Sequence, residues 1–195
     1  MRVKICGVTN TADAVCAEAS GADAIGVVVC SNSPRNVPLG EAREIFSALG
    51  PFVTRVLVTH TTSLRDIEEI RSIRPDAIQV FQPFPREVAG DIRMIRVVQP
   101  GTEMRGDCDA VIIDSSHGRG QVYDPGFARE VIRRSPLPVI LAGGLTPENV
   151  TEAIRALHPY GVDVATGVEK SPGKKDPERV RAFIRACRYE NDEKR

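Results

Sequence analysis

The chain has 195 residues, 42% of them hydrophobic and 27% charged, with 26 basic and 26 acidic side chains and a formal net charge of zero. That length fits one domain, here the whole of residues 1–195, with a sizeable core. The balanced charge excludes a dedicated nucleic-acid binder, which would carry a basic surplus. No apolar run approaches the length that spans a bilayer, so no membrane partner is expected. Five cysteines (Cys6, Cys16, Cys30, Cys108, Cys187) form an odd set without metal-ligand spacing. A disulfide framework is not expected, and with no signal-type segment a reducing, cytoplasmic setting is.

Val3–Cys6 reads as a first strand, closed by Gly7. Asn10 or Thr11 then caps a helix carrying Ala14, Val15, Ala17 and Ala19 and ending at Gly21. Ala24–Val29 is a continuous apolar run, as expected of a parallel strand buried on both faces. A flexible-looking polar loop, Ser31–Asn36, leads through Pro38 to a helix with Ala42, Ile45, Phe46 and Leu49 on one face. Thr54–Val58 is a third strand, and Leu64, Ile67, Ile70 and Ile73 repeat at helical spacing. Ala77–Val80 is a fourth strand. Pro83 and Pro85 leave room for only one turn at residues 86–90 before a fifth strand, Ile92–Val98. Pro100-Gly101 and a short connection precede the sixth strand, Ala110–Ile113, which ends in Asp114.

Phe127, Val131 and Ile132 mark the next helix. Val139–Ala142 is a seventh strand running into Gly143-Gly144. Thr146 is the expected N-cap of the helix that follows, with Pro147 at its first position. Val162–Ala165 is an eighth strand, ending at Thr166-Gly167, and Pro177 opens a last helix lined by Val180, Phe183, Ile184 and Cys187. The tail from Glu190 to Arg195 is polar and expected to fray.

Eight short β-branched strands alternating with amphipathic helices predict a closed (β/α)₈ (TIM) barrel rather than a doubly wound sheet. The chain is slightly short for that fold, and units four and five are where it is trimmed. Strand-to-glycine turns in the last two units match the phosphate cradle of such barrels, formed by Gly143, Gly144, Thr166 and Gly167. Either turn alone reads equally well as a tight connection.

Strand C-terminal ends face the active site in this architecture, which selects the candidates. Cys6, with Lys4 just before it, ends strand one; its thiolate would serve as nucleophile or base, and otherwise it is a small buried hydrophobe. Asp114 ends an apolar strand, where desolvation would raise its pKa and suit a general acid; the plainer alternative is a loop cap or an ion pair with Arg119. Arg35 suits bidentate binding of a carboxylate, or is an exposed arginine. Asp163 lies in strand eight. His60, His117 and His158 make no metal constellation, and Lys174-Lys175-Asp176 reads as a solvated turn or a ligand contact.

Several stretches carry a resemblance. Val3-Lys-Ile-Cys-Gly-Val-Thr-Asn10, Gly21-Ala-Asp-Ala-Ile-Gly-Val27 and Ser33-Pro-Arg-Asn-Val37 are similar to segments of the phosphoribosylanthranilate isomerase family. So are Val111-Ile-Ile-Asp-Ser115, Gly143-Gly-Leu-Thr-Pro-Glu-Asn-Val150 and Val162-Asp-Val-Ala-Thr-Gly-Val-Glu169, followed by Pro172-Gly-Lys-Lys-Asp176. The resemblance runs nearly end to end. It implies an Amadori rearrangement of a phosphosugar in tryptophan biosynthesis, with no metal or organic cofactor, by a monomer or homodimer. Cys6 would be the base, Asp114 the acid, and Arg35 the contact to the anthranilate carboxylate. Asp163 would touch the sugar or the aniline nitrogen, and the two glycine turns would hold phosphate.

Two departures stand out. Phe81, in Gln79-Val-Phe-Gln82, replaces a family histidine that helps hold substrate. After the acid, His117-Gly-Arg-Gly-Gln-Val-Tyr-Asp124 is followed by Pro125 where the family has Trp, and Arg119 would stand in for the usual cation. Two other readings remain: the histidine-pathway aminoaldose isomerase, which normally uses two carboxylates, and a non-catalytic phosphosugar-binding paralogue.

Overall fold

In the computed structural model, which describes residues 1–102, 107–114 and 123–188, eight parallel strands pair in sequence order and close on themselves. They are β1 (Arg2–Cys6), β2 (Ala24–Val29), β3 (Thr54–Thr59), β4 (Ala77–Val80), β5 (Arg93–Val98), β6 (Ala110–Ile113), β7 (Val139–Leu141) and β8 (Gly161–Val164). Closure comes from β1 against β8, in a register that sets Lys4 opposite Asp163. The helices are α1 (Thr11–Ala19), α2 (Leu39–Ser47), α3 (Leu64–Ser72), α4 (Pro125–Arg134), α5 (Val150–Leu157) and α6 (Pro177–Arg188). No helix among the described residues is long and apolar enough to cross a membrane.

The alternation of side chains along each strand divides the core in two. Outward residues such as Ile5, Ile25, Leu57, Ile78 and Ile113 meet the helices, with Phe183 of α6 fully buried among them. Inward residues fill the barrel: Cys6, Val28, Val56, Val58, Ile95, Val97 and Ile112 pack together there.

The expected shortening of units four and five is present. Between β4 and β5 there is only a 3₁₀ turn, Arg86–Ala89, and β6 follows β5 with no helix among the described residues. The outer face of β5 is covered in part by its own Arg96, which is 3% exposed; its Nη2 donates to the Phe84 carbonyl at 2.5 Å and its Nη1 lies 3.3 Å from Asp107. A long side chain with a polar head thus occupies space that a full helix would have filled.

Several boundaries and burials differ from the sequence expectation. β7 stops at Leu141 and β8 spans Gly161–Val164, one residue earlier than expected, because the pairing with β1 begins at Gly161. Regular helix α5 starts at Val150 rather than Pro147. Thr146 still accepts from the Glu148 amide at 3.2 Å, but the Asn149 side chain bonds back to Thr146 N and Gly144 O and holds residues 147–149 as a turn. Val15 and Leu64, expected on core faces, are 44% and 57% exposed, since the buried stripes of α1 and α3 are carried by Ala14, Ala17, Ile67 and Ile70. His117, Arg119 and the 190–195 tail lie outside the described residues.

Phe183→Ala should remove the aromatic plug between α6 and the barrel and cost about 3–5 kcal/mol. A chemical-denaturation midpoint close to that of the parent chain would show that α6 contributes little to the fold.

Candidate active site

The C-terminal ends of the strands bring the candidate residues into one mouth. Cys6 ends β1 and is 8% exposed, inside the barrel. Asp114 follows β6 and is half-buried; its backbone carbonyl accepts from Gln99 Nε2 at 2.8 Å. Asp163 of β8 lies inside the barrel with its carboxylate 2.8 Å from Lys4 Nζ. Lys4 and Asp163 are each more than nine-tenths buried, so this is an ion pair in the barrel interior. Lys4 is two residues before Cys6 on the same strand and therefore on the same face.

Gly26 makes this crowding possible. It is the β2 residue opposite Cys6, and a Cβ there would sit 2.8 Å from Cys6 Sγ and 3.0 Å from Lys4 Cε. The thiol and the lysine share the space that any other residue at 26 would fill.

Burial works against the Lys4 charge, but Asp163 and Cys6 outweigh it and hold the ammonium protonated well above its ordinary range. Burial pushes the Cys6 thiol up, while Lys4 pulls it the other way. The Asp163 carboxyl is likewise pushed up by burial against the pull of Lys4, with the Asp114 charge adding to the rise.

A small pocket joins the ends of β6, β7 and β8, lined by Asp114, Gly143, Gly144, Asp163, Thr166 and Gly167 among others. The expected phosphate residues are thus brought together with both aspartates. Gly143 and Gly144 have φ of +96° and +62°, the left-handed region that favours glycine. Gly167 lies directly against the Leu145 carbonyl, so the seventh and eighth turns touch where a Cβ would drive them apart. Thr166–Val168 is a 3₁₀ turn. A larger cavity, about 660 Å³, opens at the opposite mouth between Arg2, Ala24, Ala77, Ala110 and Gly161, away from these strand ends.

Arg35 is not on a loose loop. Ser31, Ser33 and Asn36 stitch that loop by side-chain bonds to backbone amides, and Arg35 is 8% exposed. Its Nε and Nη2 clasp the Glu169 carboxylate at 2.8 and 2.7 Å, and Nη2 also reaches Thr166 Oγ1 at 3.3 Å. Glu169 begins a hairpin, β9 (Glu169–Ser171) with β10 (Lys174–Lys175), where the sequence left a solvated turn or a ligand contact open at 174–176. Lys175 is buried and reaches Glu169 Oε1 at 2.8 Å. The carboxylate is therefore held between two cations. Burial disfavours its charge, yet Arg35 and Lys175 together keep it below the ordinary value.

Sequence reading missed Glu169 as a site residue and left Lys175 between a solvated turn and a ligand contact. It also missed His60, which follows β3 and stacks on Phe81 with ring centroids 4.0 Å apart and an interplanar angle of 23°. His60 Nδ1 is 2.8 Å from Ser31 Oγ. Where position 81 lacks an imidazole, one stands against it from the neighbouring strand. Among the described residues no group of His, Cys, Asp and Glu could hold a metal ion.

A family model described as N-(5′-phosphoribosyl)anthranilate isomerase matches residues 3–186. The chain belongs to this family. It is 58% identical over 189 residues to the N-(5′-phosphoribosyl)anthranilate isomerase of Methanoregula boonei, covering 96% of this chain and 97% of that one. Its fold is similar to a crystal structure of phosphoribosyl anthranilate isomerase from Thermus thermophilus, with a TM-score of 0.87, 36% identity and coverage of 95% and 98%. It is also similar, at a TM-score of 0.82, 33% identity and coverage of 97% and 99%, to a family structure in complex with reduced 1-(o-carboxyphenylamino)-1-deoxyribulose 5-phosphate.

Glu169→Gln should leave Arg35 and Lys175 as uncompensated buried cations and destabilise the fold by about 3–5 kcal/mol. Because Glu169 has its pKa lowered on folding, its contribution is complete above the ordinary carboxylate value of 4.5 and is lost as pH falls through the lower folded value. Thermal melts from pH 7 downward check this: the gap between parent and Glu169→Gln should narrow in acid. A gap independent of pH would contradict it.

Proposed function

We propose that this chain isomerises N-(5′-phosphoribosyl)anthranilate in tryptophan biosynthesis, with Cys6 as general base and Asp114 as general acid. The observation that carries the reading is their placement. A thiol and a carboxylate stand at the ends of β1 and β6, on either side of the mouth, and the acid also lines the glycine pocket of β7 and β8. Two groups on opposite sides of a ligand suit two proton transfers at different atoms.

Asp114 donates a proton to the furanose ring oxygen, and the C1′–O bond opens to a Schiff base. Cys6 then removes the C2′ proton. The electron pair moves toward the substrate nitrogen, giving an enolamine; as C1′ takes a proton the 2′-hydroxyl gives one up, and the product is the ketone, 1-(2-carboxyphenylamino)-1-deoxyribulose 5-phosphate. The nitrogen of the substrate supplies the electron sink.

The phosphate fits the pocket at Gly143, Gly144, Thr166 and Gly167, where backbone N–H groups of the two turns serve as donors. This grip lies away from the reacting bonds and positions C1′ and C2′ between base and acid. Asp163, between them on β8, faces the sugar or the aniline nitrogen. Arg35 keeps its Nη1 edge outside the clasp with Glu169, and those N–H groups suit the anthranilate carboxylate. The flat pair of His60 and Phe81 gives the aromatic ring a surface to lie on.

The test is turnover of freshly generated phosphoribosylanthranilate, followed by loss of its fluorescence. Cys6→Ala and Asp114→Asn should each lower kcat at least about a hundredfold while a phosphosugar analogue still binds. Arg35→Ala should act mainly on KM. Parent-like turnover in either of the first two variants would remove that residue from its role. A folded parent chain that binds the analogue without turnover would favour the phosphosugar-binding paralogue.

A further inference from the structure

We propose that Lys4 is the positioning residue of the base: pinned by Asp163 and packed under the Cys6 sulfur in the space left by Gly26, its ammonium holds Cys6 for work as a thiolate. The inference rests on Cys6 being the base and adds what equips it for that task.

The geometry carries the argument. A thiol buried in an apolar barrel is a poor base, since the thiolate loses its hydration. Its surroundings at Val28, Val56 and Ala142 supply no compensating donor. The compensating group is Lys4, on the same strand and the same face, whose Nζ lies 3.1 Å from the Cβ position of residue 26 while Cys6 Sγ lies 2.8 Å from it. A free lysine ammonium has many rotamers, and this one has been reduced to few. Asp163 fixes Nζ at 2.8 Å, and the gap at Gly26 admits Sγ and Cε side by side.

The groups around Cys6 act with known signs. Lys4 on β1 and Lys175 on β10 favour the thiolate; Asp163 on β8 opposes it. Arg35, from the loop after β2, also feels the thiolate charge, but its own charge is shared with Glu169 of β9. Asp114, after β6, acts on Asp163. Lys4 acts on the thiol more strongly than Asp163 does, so the pair as a whole favours ionisation, and each half alone works in the opposite direction to the other.

That opposition gives a test a purely structural ion pair would fail. Four full-length proteins are compared: the parent, Lys4→Met, Asp163→Asn and the double variant, which buries no lone charge. Iodoacetamide alkylation of Cys6 is measured across pH and localised by tandem mass spectrometry, so that Cys16 and Cys30 do not interfere. The pH dependence of kcat/KM is measured beside it.

The alkylation midpoint should rise by about one pH unit or more in Lys4→Met and fall in Asp163→Asn. In the double variant it should lie between the parent and Lys4→Met. The rising limb of kcat/KM should move with it. A midpoint unchanged or lowered in Lys4→Met overturns the proposal, as does one raised in Asp163→Asn. If Lys4→Met does not fold, the double variant decides: a midpoint above the parent supports the proposal, and one at or below it overturns it. Midpoints that move in this order while Cys6→Ala retains turnover would leave the role of Lys4 in thiol ionisation standing and remove Cys6 as the base.

Discussion

The barrel closes where β1 meets β8, and the buried pair Lys4–Asp163 lies across that seam, one partner on each strand. A salt bridge in so dry a place gains little net stability, because both charges have lost their water. Its value is selective. A slip of one residue in the closing register would turn either Lys4 or Asp163 outward, among the aliphatic side chains under the helices, and strand both charges. The closed barrel is thus tied to one register at the strand that also ends in Cys6. The residues that fix how the sheet closes are the same ones that stand beside the Cys6 thiol.

Local pattern and distant contact divide what was legible. Strand and helix positions followed from apolar runs, caps and glycines, because each element is a local stretch, the longest of them the 12 residues of α6. That Cys6, Asp114, Asp163 and the four residues expected to hold phosphate share one mouth was legible because strand ends in a parallel barrel point the same way. Glu169 was not, since nothing nearby in the chain marks it; its partner Arg35 is 134 positions away. Lys175 read as part of a charged turn because its burial depends on that same carboxylate. The role of Gly26 was hidden for a related reason. In sequence it is a glycine in an apolar strand, and only the pairing with Cys6 shows what its missing side chain leaves room for. Thr146 read as the N-cap, but the Asn149 side chain bonds back across the turn, takes the N-cap position itself and delays the regular helix to Val150.

The trimmed sector and the working sector lie on different parts of the ring. Among the described residues, units four and five carry no α-helix after their strands and hold the Arg96 network instead, whereas the aspartates and glycines of the mouth come from strands six, seven and eight. Strand ends and loops can vary while the sheet beneath stays closed, which is why this architecture tolerates a short chain. The exchange at Phe81 follows the same logic. A change at the end of β4 is met by His60 at the end of β3, so two adjacent strand ends share one surface.

The β9–β10 hairpin ties the last part of the chain to the first. Thr9 donates to the Gly173 carbonyl at 2.5 Å, and the Lys175 amide donates to Asp13 at 2.9 Å, contacts spanning 164 and 162 positions. Together with the seam between β1 and β8 they give the fold a high contact order, and ordering them late is costly in chain entropy. During synthesis the segment bearing Lys4 and Cys6 emerges before the segment bearing Asp163, Glu169 and Lys175. A nascent chain stopped before Asp163 therefore holds Cys6 and Lys4 without the carboxylate that pins the lysine, and the mouth is assembled only when the ring is closed.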